Sequence, residues 1–344
     1  MEFVNYTVGQ DDSERRLDRV LRKFLSEENI SSLYKSLRKG LVKVDGKKCD
    51  GNFRLQKGSI IQIADFLILR NSESIKSKTA DFKMTESDFQ DVQKKLKAIT
   101  LFRNETLLIL NKPYDIPVQP ASSSKIQSLS ELVQAEYEFS HKNSSLSFKT
   151  GPLHRLDRKT TGLIAFSQNL EGAKWFSDTI KNHLIQKKYL AILEGNLQEN
   201  QIWEDKIEKN NTRTDKTWVR GEKSGKFHTV TVNSTGGKIA HTEVFPICHD
   251  IFDGREITLA EVIIKTGRTH QIRSQSAYHG FPLLGDSAYG SKKIDSKRVG
   301  RDFFLHAAEL TFPKPNPLGL PEKLIAPPPP FFKELFPEFS LSFR

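Results

Sequence analysis

One polar stretch limits how this chain can fold more than any other feature. From about Arg70 to Lys97 the residues are mostly Ser, Lys, Asp and Gln with few apolar positions, which is linker composition with room for one short helix. It divides the 344 residues into a small unit, 1–70, a linker, 71–97, and a large unit, 98–344, long enough to bury a sizeable core. From Leu101 the sequence turns apolar and β-prone, with no comparable break before the proline cluster Pro327 to Pro330. Strand-like runs separated by short helices, with neither regular βαβ alternation nor a GxGxxG turn, predict an α+β fold rather than a doubly wound sheet.

The small unit is basic. Leu17, Val20, Leu21, Phe24 and Leu25 recur at helical spacing with Arg15, Arg16, Arg19, Arg22 and Lys23 between them. A second helix is expected to open at Ser31 or Ser32, where a hydroxyl can cap free N–H groups, and to stop at Gly40, with Leu33 and Leu37 on its apolar face. LVKVDGKKC then reads as a hairpin turning at Asp45-Gly46, and GSIIQIADF as a further strand ending near Phe66. Between Glu14 and Phe66 there are 13 basic and 7 acidic residues, so over half of the chain's net charge of +11 lies there.

That charge, with a pI of about 9.4, points to a polyanionic partner: RNA, DNA or an anionic membrane surface. The most apolar runs, Leu107 to Leu110 and Phe66 to Leu69, are too short to span a bilayer. MEFVNYTVGQDDSE has no basic patch followed by an apolar block, so cytoplasmic residence is expected. Cys49 and Cys248 lie in separate units without CxxC or CxxH spacing and predict neither a disulfide framework nor a zinc knuckle. The nine histidines form no HxH or HxxxH pair, so no metal is expected.

Three segments crowd polar residues where a core strand would want apolar ones. In GPLHRLDRKTTGLIAF, a turn at Gly151-Pro152 and a buried strand over Leu163 to Phe166 leave His154, Arg155, Asp157 and Arg158 on the intervening loop. A carboxylate between two arginines stays ionised, which suits a nucleophile or base; the same pattern also suits a structural ion pair. In KKYLAILEG, Tyr189 begins an apolar strand after a helix with Trp175, Phe176, Ile180 and Leu184 on one face. EVIIKTGRTHQIRSQSAYHGFPLLGDSAYG follows a strand with a turn at Thr266-Gly267 and a helix carrying His270, Gln271 and Arg273.

These segments resemble signatures of the pseudouridine synthases related to RluA. HRLDRKTTGL is similar to that family's HRLDR-x-[TS]-[ST]-G-L, and KKYLAILEG to its K-x-Y-x-A-x-x-x-G. The third segment resembles GR-x-HQ-[IL]-R-x-H-x-x-x-x-G-x-P-[IL]-x-GD-x-x-YG, with Gln275 where a histidine is usual. NKPYDIPVQP and LHAAELTFPKP extend the likeness, Lys314 replacing a histidine. The small unit, with Tyr34, Lys35, Arg38 and Lys39 on its second helix and a VxVDGK turn, resembles the S4 RNA-binding domain. Together with the APPPPFF tail, this is most like the S4-bearing RluC type, which acts on large-subunit ribosomal RNA.

The resemblance implies a large mixed, mainly antiparallel sheet with a cleft across its middle, flanking helices, and a small RNA-binding domain. It implies Asp157 as the catalytic carboxylate, Tyr189 stacking on the target base, and Arg273 paired with Asp157, with Asp286 and Tyr289 bracing the loop. Arg155, Arg158, His154, Arg268, His270 and Gln271 are expected to touch RNA, as are Arg15, Arg16, Lys35, Arg38 and Lys39 of the small unit. Leu163, Ile164, Ile263 and Ile272 are expected to keep water from the base. No cofactor and no obligatory protein partner are implied, and a monomer suffices. Two rival readings are a non-catalytic RNA-binding or ribosome-assembly factor, and a metal-dependent nuclease using His154, Asp157 and His270.

Overall fold

The structure is a computed structural model and describes residues 1–76, 85–120, 126–141, 145–209, 230–232, 236–294 and 302–339. It opens on β1 (Phe3–Thr7), a strand missing from the sequence reading because its two core-facing residues, Phe3 and Tyr6, do not alternate. The basic amphipathic helix is α1 (Leu17–Phe24), which buries Leu17, Val20 and Leu21. The second helix, α2 (Ile30–Lys39), starts earlier than expected. Its cap is Asn29, not a serine: the Asn29 side chain accepts the Ser32 amide at 2.7 Å, and asparagine caps as well as serine. It ends at Gly40 with φ 70°, where the Gly40 and Leu41 amides bond back to Leu37 and Ser36.

The hairpin follows as β2 (Val42–Val44) and β3 (Lys47–Lys48), with Asp45 and Gly46 at φ 50° and 78°, the left-handed pair a two-residue turn needs. With β4 (Ile60–Ala64) they form an antiparallel sheet in the order β1-β4-β2-β3. The stretch expected to be a linker is helical at both ends, in α3 (Asp65–Lys76) and α4 (Glu86–Ile99); residues 77–84 lie outside the described residues. Thr85 and Asp88 cap α4 reciprocally, yet only Val92 and Leu96 are buried along it, so its apolar signal is faint.

Two compact units result, and they are not simple consecutive segments. The first is Met1–Ala98 with Glu131–Gly151 and Ser167–Ala173; the second is Ile99–Ser130, Pro152–Phe166 and Lys174–Arg344. Within the first, Asp12 is fully buried and its carboxylate accepts the amides of Leu146 and Ser147 at 2.7 and 3.2 Å, together with both serine hydroxyls of Ser145 and Ser147. Leu146 joins the apolar core of α1, α2 and the small sheet. Phe89 stacks on Phe139 at 4.3 Å.

The remaining elements are β5 (Thr100–Arg103), β6 (Leu107–Lys112), α5 (Leu129–Ser140), β7 (Thr161–Ser167), α6 (Leu170–Lys181), β8 (Gln186–Glu194), β9 (Gln201–Lys209), β10 (Val230–Val232), β11 (Lys238–Phe252), β12 (Arg255–Ile264), α7 (Gln271–Tyr278), β13 (Leu305–Thr311), β14 (Lys323–Ile325) and α8 (Phe331–Leu335). Among the described residues β5 to β14 form one sheet in the order β10-β9-β11-β12-β8-β13-β7-β6-β5, with β14 paired to β13. The β8, β12 and β13 pairings are antiparallel and β7 runs parallel to β13. The fold is therefore α+β with a large, mainly antiparallel sheet.

Two local features fix the strands that carry the site. Gly162, at φ 106°, lies so close to the backbone of Ala307 that any Cβ would collide with it, which brings β7 against β13. Beside it the fully buried His306 spans Thr161 Oγ1 at 2.8 Å and the Ala326 carbonyl at 3.1 Å. On α6, Trp175, Phe176 and Ile180 face the core, but Leu184, expected on the same face, lies beyond the helix end, where the chain turns at His183, φ 57°, and Leu184 is exposed.

Candidate active site

The loop between Gly151 and Thr161 is held from several sides. Leu153 donates its amide to Ala165 at 2.8 Å, and His154 Nε2 accepts the Ala165 amide at 3.1 Å while its ring stacks on Phe176. Burial, with Lys187 adding to it, pushes the His154 pKa down to about 3, so the ring is neutral and turned inward. His154 braces this loop.

Lys112, at the end of β6, is fully buried and donates to the carbonyls of Pro113, Ile116 and Arg158 at 2.9, 2.8 and 2.6 Å. Burial lowers its pKa to about 7, against the pull of Asp115 and Asp157. The side chain of Arg158 is committed to Asp115 at 2.8 Å, and Lys159 pairs with Asp302, which Tyr114 also holds. Asp157 is thus not neutralised by the arginine that follows it in sequence. Arg155 is exposed and lines the pocket.

The cation that meets Asp157 comes from α7. Nη1 of Arg273 lies 3.3 Å from Asp157 Oδ2, while Nε and Nη2 grip Asp286 at 2.7 and 2.9 Å. The guanidinium also sits over the rings of Tyr289 and Phe303, 4.9 and 4.5 Å from their centres. Burial works against its charge, but the hydrogen bonds and charge of Asp286, with Asp157 behind them, hold its pKa above the ordinary value. Such a buried, doubly bonded fork cannot drift.

Tyr189 projects from β8, paired with Val262 and Ala307, and is 7% exposed. Burial and then Asp157 raise its pKa, so the phenol remains protonated. The pocket is lined by Arg155, Leu156, Asp157, Thr160, Tyr189, Ile264, Gly267, Arg268, Thr269, His270, Gln271, Ile272, Arg273 and Leu305. Of the apolar residues expected at the base, only Ile272 lines it. Pleating turns Ile264 rather than Ile263 inward, Leu163 packs with Ile109 and Phe176, and Ile164 is buried without reaching the pocket.

Gln271 is also spent internally. Its carbonyl accepts Thr266 Oγ1 and the Arg268 amide at 2.8 and 3.0 Å, and its amide donates to His241 O and Thr242 Oγ1 at 3.1 and 2.9 Å. It shapes the turn and leaves no donor for RNA. Arg268 is exposed, with Nε on the Ile239 carbonyl at 3.1 Å. His270 precedes α7 as its cap residue, at φ 52°, rather than riding on the helix. Gln275 is fully buried, donating to Asp205 at 2.6 Å and accepting from Thr242 at 2.7 Å, so an amide fills that position completely.

In the first unit, Lys35, Arg38 and Lys39 are exposed on α2. Arg15 donates to Ser147, and Arg16, its side chain still partly exposed, pairs with Asp18, which also accepts from Tyr34 at 2.6 Å. Lys112, Asp302, Phe303 and Leu305 went unassigned in the sequence, because a lysine closing a strand or an aromatic before one has no local signature. Among the described residues no group of three or more His, Cys, Asp or Glu side chains could hold a metal, and no helix is long and apolar enough to cross a membrane.

Residues 106–278 match the family described as RNA pseudouridylate synthase. A relative from Vibrio parahaemolyticus named ribosomal large subunit pseudouridine synthase C is 26% identical over 92% of this chain and 90% of its own. One of the same name from Rickettsia typhi is 28% identical over 85% and 87%. The solved structure titled human RNA pseudouridylate synthase domain containing 4 superposes with a TM-score of 0.53 over 72% of this chain and 95% of that one, at 20% identity.

Proposed function

The chain belongs to the RNA pseudouridylate synthase family, and from that premise we propose that it isomerises uridines of large-subunit ribosomal RNA with Asp157 as the catalytic carboxylate. The reaction breaks the bond from uracil N1 to ribose C1′, turns the detached base and joins C5 to C1′; C5 gives up its proton and N1 gains one. Nothing is consumed. A fixed carboxylate next to the sugar suits the cleavage of a glycosidic bond, where positive charge develops at C1′.

The observation that carries this reading is the convergence of Asp157, Tyr189 and Arg273 on one pocket from three separate stretches of chain. Arg273 engages only Oδ2, which leaves Oδ1 of Asp157 for the ribose. Tyr189 offers a neutral, buried ring against which a uracil taken out of its stack can lie, with Leu156, Ile264, Ile272 and Leu305 excluding water. Arg155 and Arg268, exposed at the same pocket, suit the flanking phosphates.

The large-subunit ribosomal substrate rests on the names of the relatives and on their match along most of the chain. The helix-helix-hairpin unit, with its S4-like sequence and the exposed cations Lys35, Arg38 and Lys39, serves in this reading to hold structured RNA. Mapping pseudouridines in ribosomal RNA from a strain lacking the gene tests both parts. Specific sites in the large-subunit RNA lose the modification, the wild-type gene restores them, and an Asp157→Asn gene does not; unaltered large-subunit RNA contradicts the substrate.

A further inference from the structure

His270 sits beside the Asp157 carboxylate with Nδ1 hydrogen-bonded and Nε2 facing a carboxylate oxygen from just beyond hydrogen-bond distance. Nδ1 lies 2.8 Å from the hydroxyl of Tyr289, and Nε2 lies 3.7 Å from Oδ1 of Asp157. The Tyr289 oxygen also receives the Val230 amide at 3.1 Å. Tyr289 is 3% exposed and its ring stands edge-on to the imidazole, 85° apart at 5.8 Å. A histidine in the left-handed region pays for that backbone, and here the conformation aims the ring at the pocket.

The bonds decide where the proton sits. With the Val230 N–H already donating to the phenol oxygen, the Tyr289 O–H is free to donate to Nδ1, which puts the histidine proton on Nε2. The reverse arrangement sets the Nε2 lone pair against a carboxylate oxygen and leaves the Tyr289 proton without an acceptor among the described residues. Protonation of the ring is opposed first by burial and then by Arg273 and Arg155, against the pull of Asp157 and Asp286, and its pKa is lowered. An imidazolium would close an ion pair on Asp157 and mask it.

We propose that Tyr289 locks the His270 proton on Nε2, so that a neutral N–H dipole faces Oδ1 of Asp157, the oxygen Arg273 leaves free, and orients it toward the ribose. His270 is a positioning residue, and Tyr289 acts through it. The inference rests on Asp157 being the catalytic carboxylate, and its test separates the two.

The full chain carrying isotopically labelled histidine is examined by NMR between about pH 6 and pH 8, the range in which an ordinary histidine titrates. The expected result is a neutral Nε2–H tautomer at His270, and a loss of that preference in Tyr289→Phe. On an RNA substrate, His270→Ala lowers kcat about tenfold, the lower end of the scale for a polar contact to a charged group, with KM little changed. His270→Gln, whose amide N–H replaces Nε2–H, recovers most of the rate. In Tyr289→Phe the acid limb of kcat moves to higher pH, because Nδ1 is then free to take a proton. An Nδ1–H tautomer or an imidazolium at neutral pH in the wild type overturns the proposal, as does His270→Gln no faster than His270→Ala. If Asp157→Asn keeps full activity the catalytic assignment fails first; if Asp157→Asn is inactive while His270→Ala matches the wild type, only the present inference fails.

Discussion

Nη1 of Arg273 lies 3.3 Å from Asp157 Oδ2, while its other two nitrogens are occupied by the buried carboxylate of Asp286. The Asp157 carboxylate is therefore oriented by a cation that is itself locked, and a single primary amine cannot do both tasks. Arg273→Lys is expected to lower kcat about 100-fold, on the scale of removing one preorganised charge contact. It should also cost about 1–3 kcal/mol of stability by leaving an Asp286 oxygen unpaired. Single-turnover kinetics and urea unfolding measure the two effects separately.

His154 gives a pH-dependent stability of known sign. Its pKa is about 3 in the fold, below the ordinary 6.5, so between those values the unfolded chain binds a proton that the folded chain refuses. Stability is then lost as pH falls below about 6.5, and at about pH 5 the loss from this group is about 1–2 kcal/mol. His154→Gln keeps an acceptor for the Ala165 amide without titrating. Denaturant unfolding at neutral and acid pH should show the variant losing less stability than the wild type; parallel losses contradict the assignment.

Much of this site was legible because polar residues stood where strands want apolar ones. HRLDR before the TTGLIAF strand, and TGRTHQIR after the EVII strand, marked the two loops that meet at Asp157 and Arg273. The roles of individual side chains were less legible, since sequence shows neighbours along the chain and not across it. Arg158 adjoins Asp157 in sequence but is spent on Asp115, and the effective arginine lies 116 residues away. His154 and Gln271 read as RNA contacts, and their internal hydrogen bonds could not be foreseen from the sequence; Lys112 was given no role, although three loop carbonyls converge on it. In the small unit the periodicity of α1 was plain, whereas α4 was faint because only Val92 and Leu96 are buried along it.

The exposed cations of α2 provide a test of RNA binding that leaves the core intact. Replacing Lys35, Arg38 and Lys39 together by glutamine removes up to three phosphate contacts. The dependence of log affinity on log salt should become shallower by about 2–3, with little change in single-turnover rate at saturating enzyme. An unaltered slope removes this face from the RNA interface. Truncating the N-terminal residues is a poorer test, since it strips Asp12 and the core that holds Leu146.

The central claim is that the carboxylate of Asp157 drives the isomerisation. RNA carrying tritium at uracil C5 releases its label to water when C5 becomes bonded to carbon. The account predicts release by the wild-type protein, and no detectable release by Asp157→Asn despite RNA affinity within about twofold, since the amide is nearly isosteric but cannot carry the charge. Release by Asp157→Asn at the wild-type rate would contradict it.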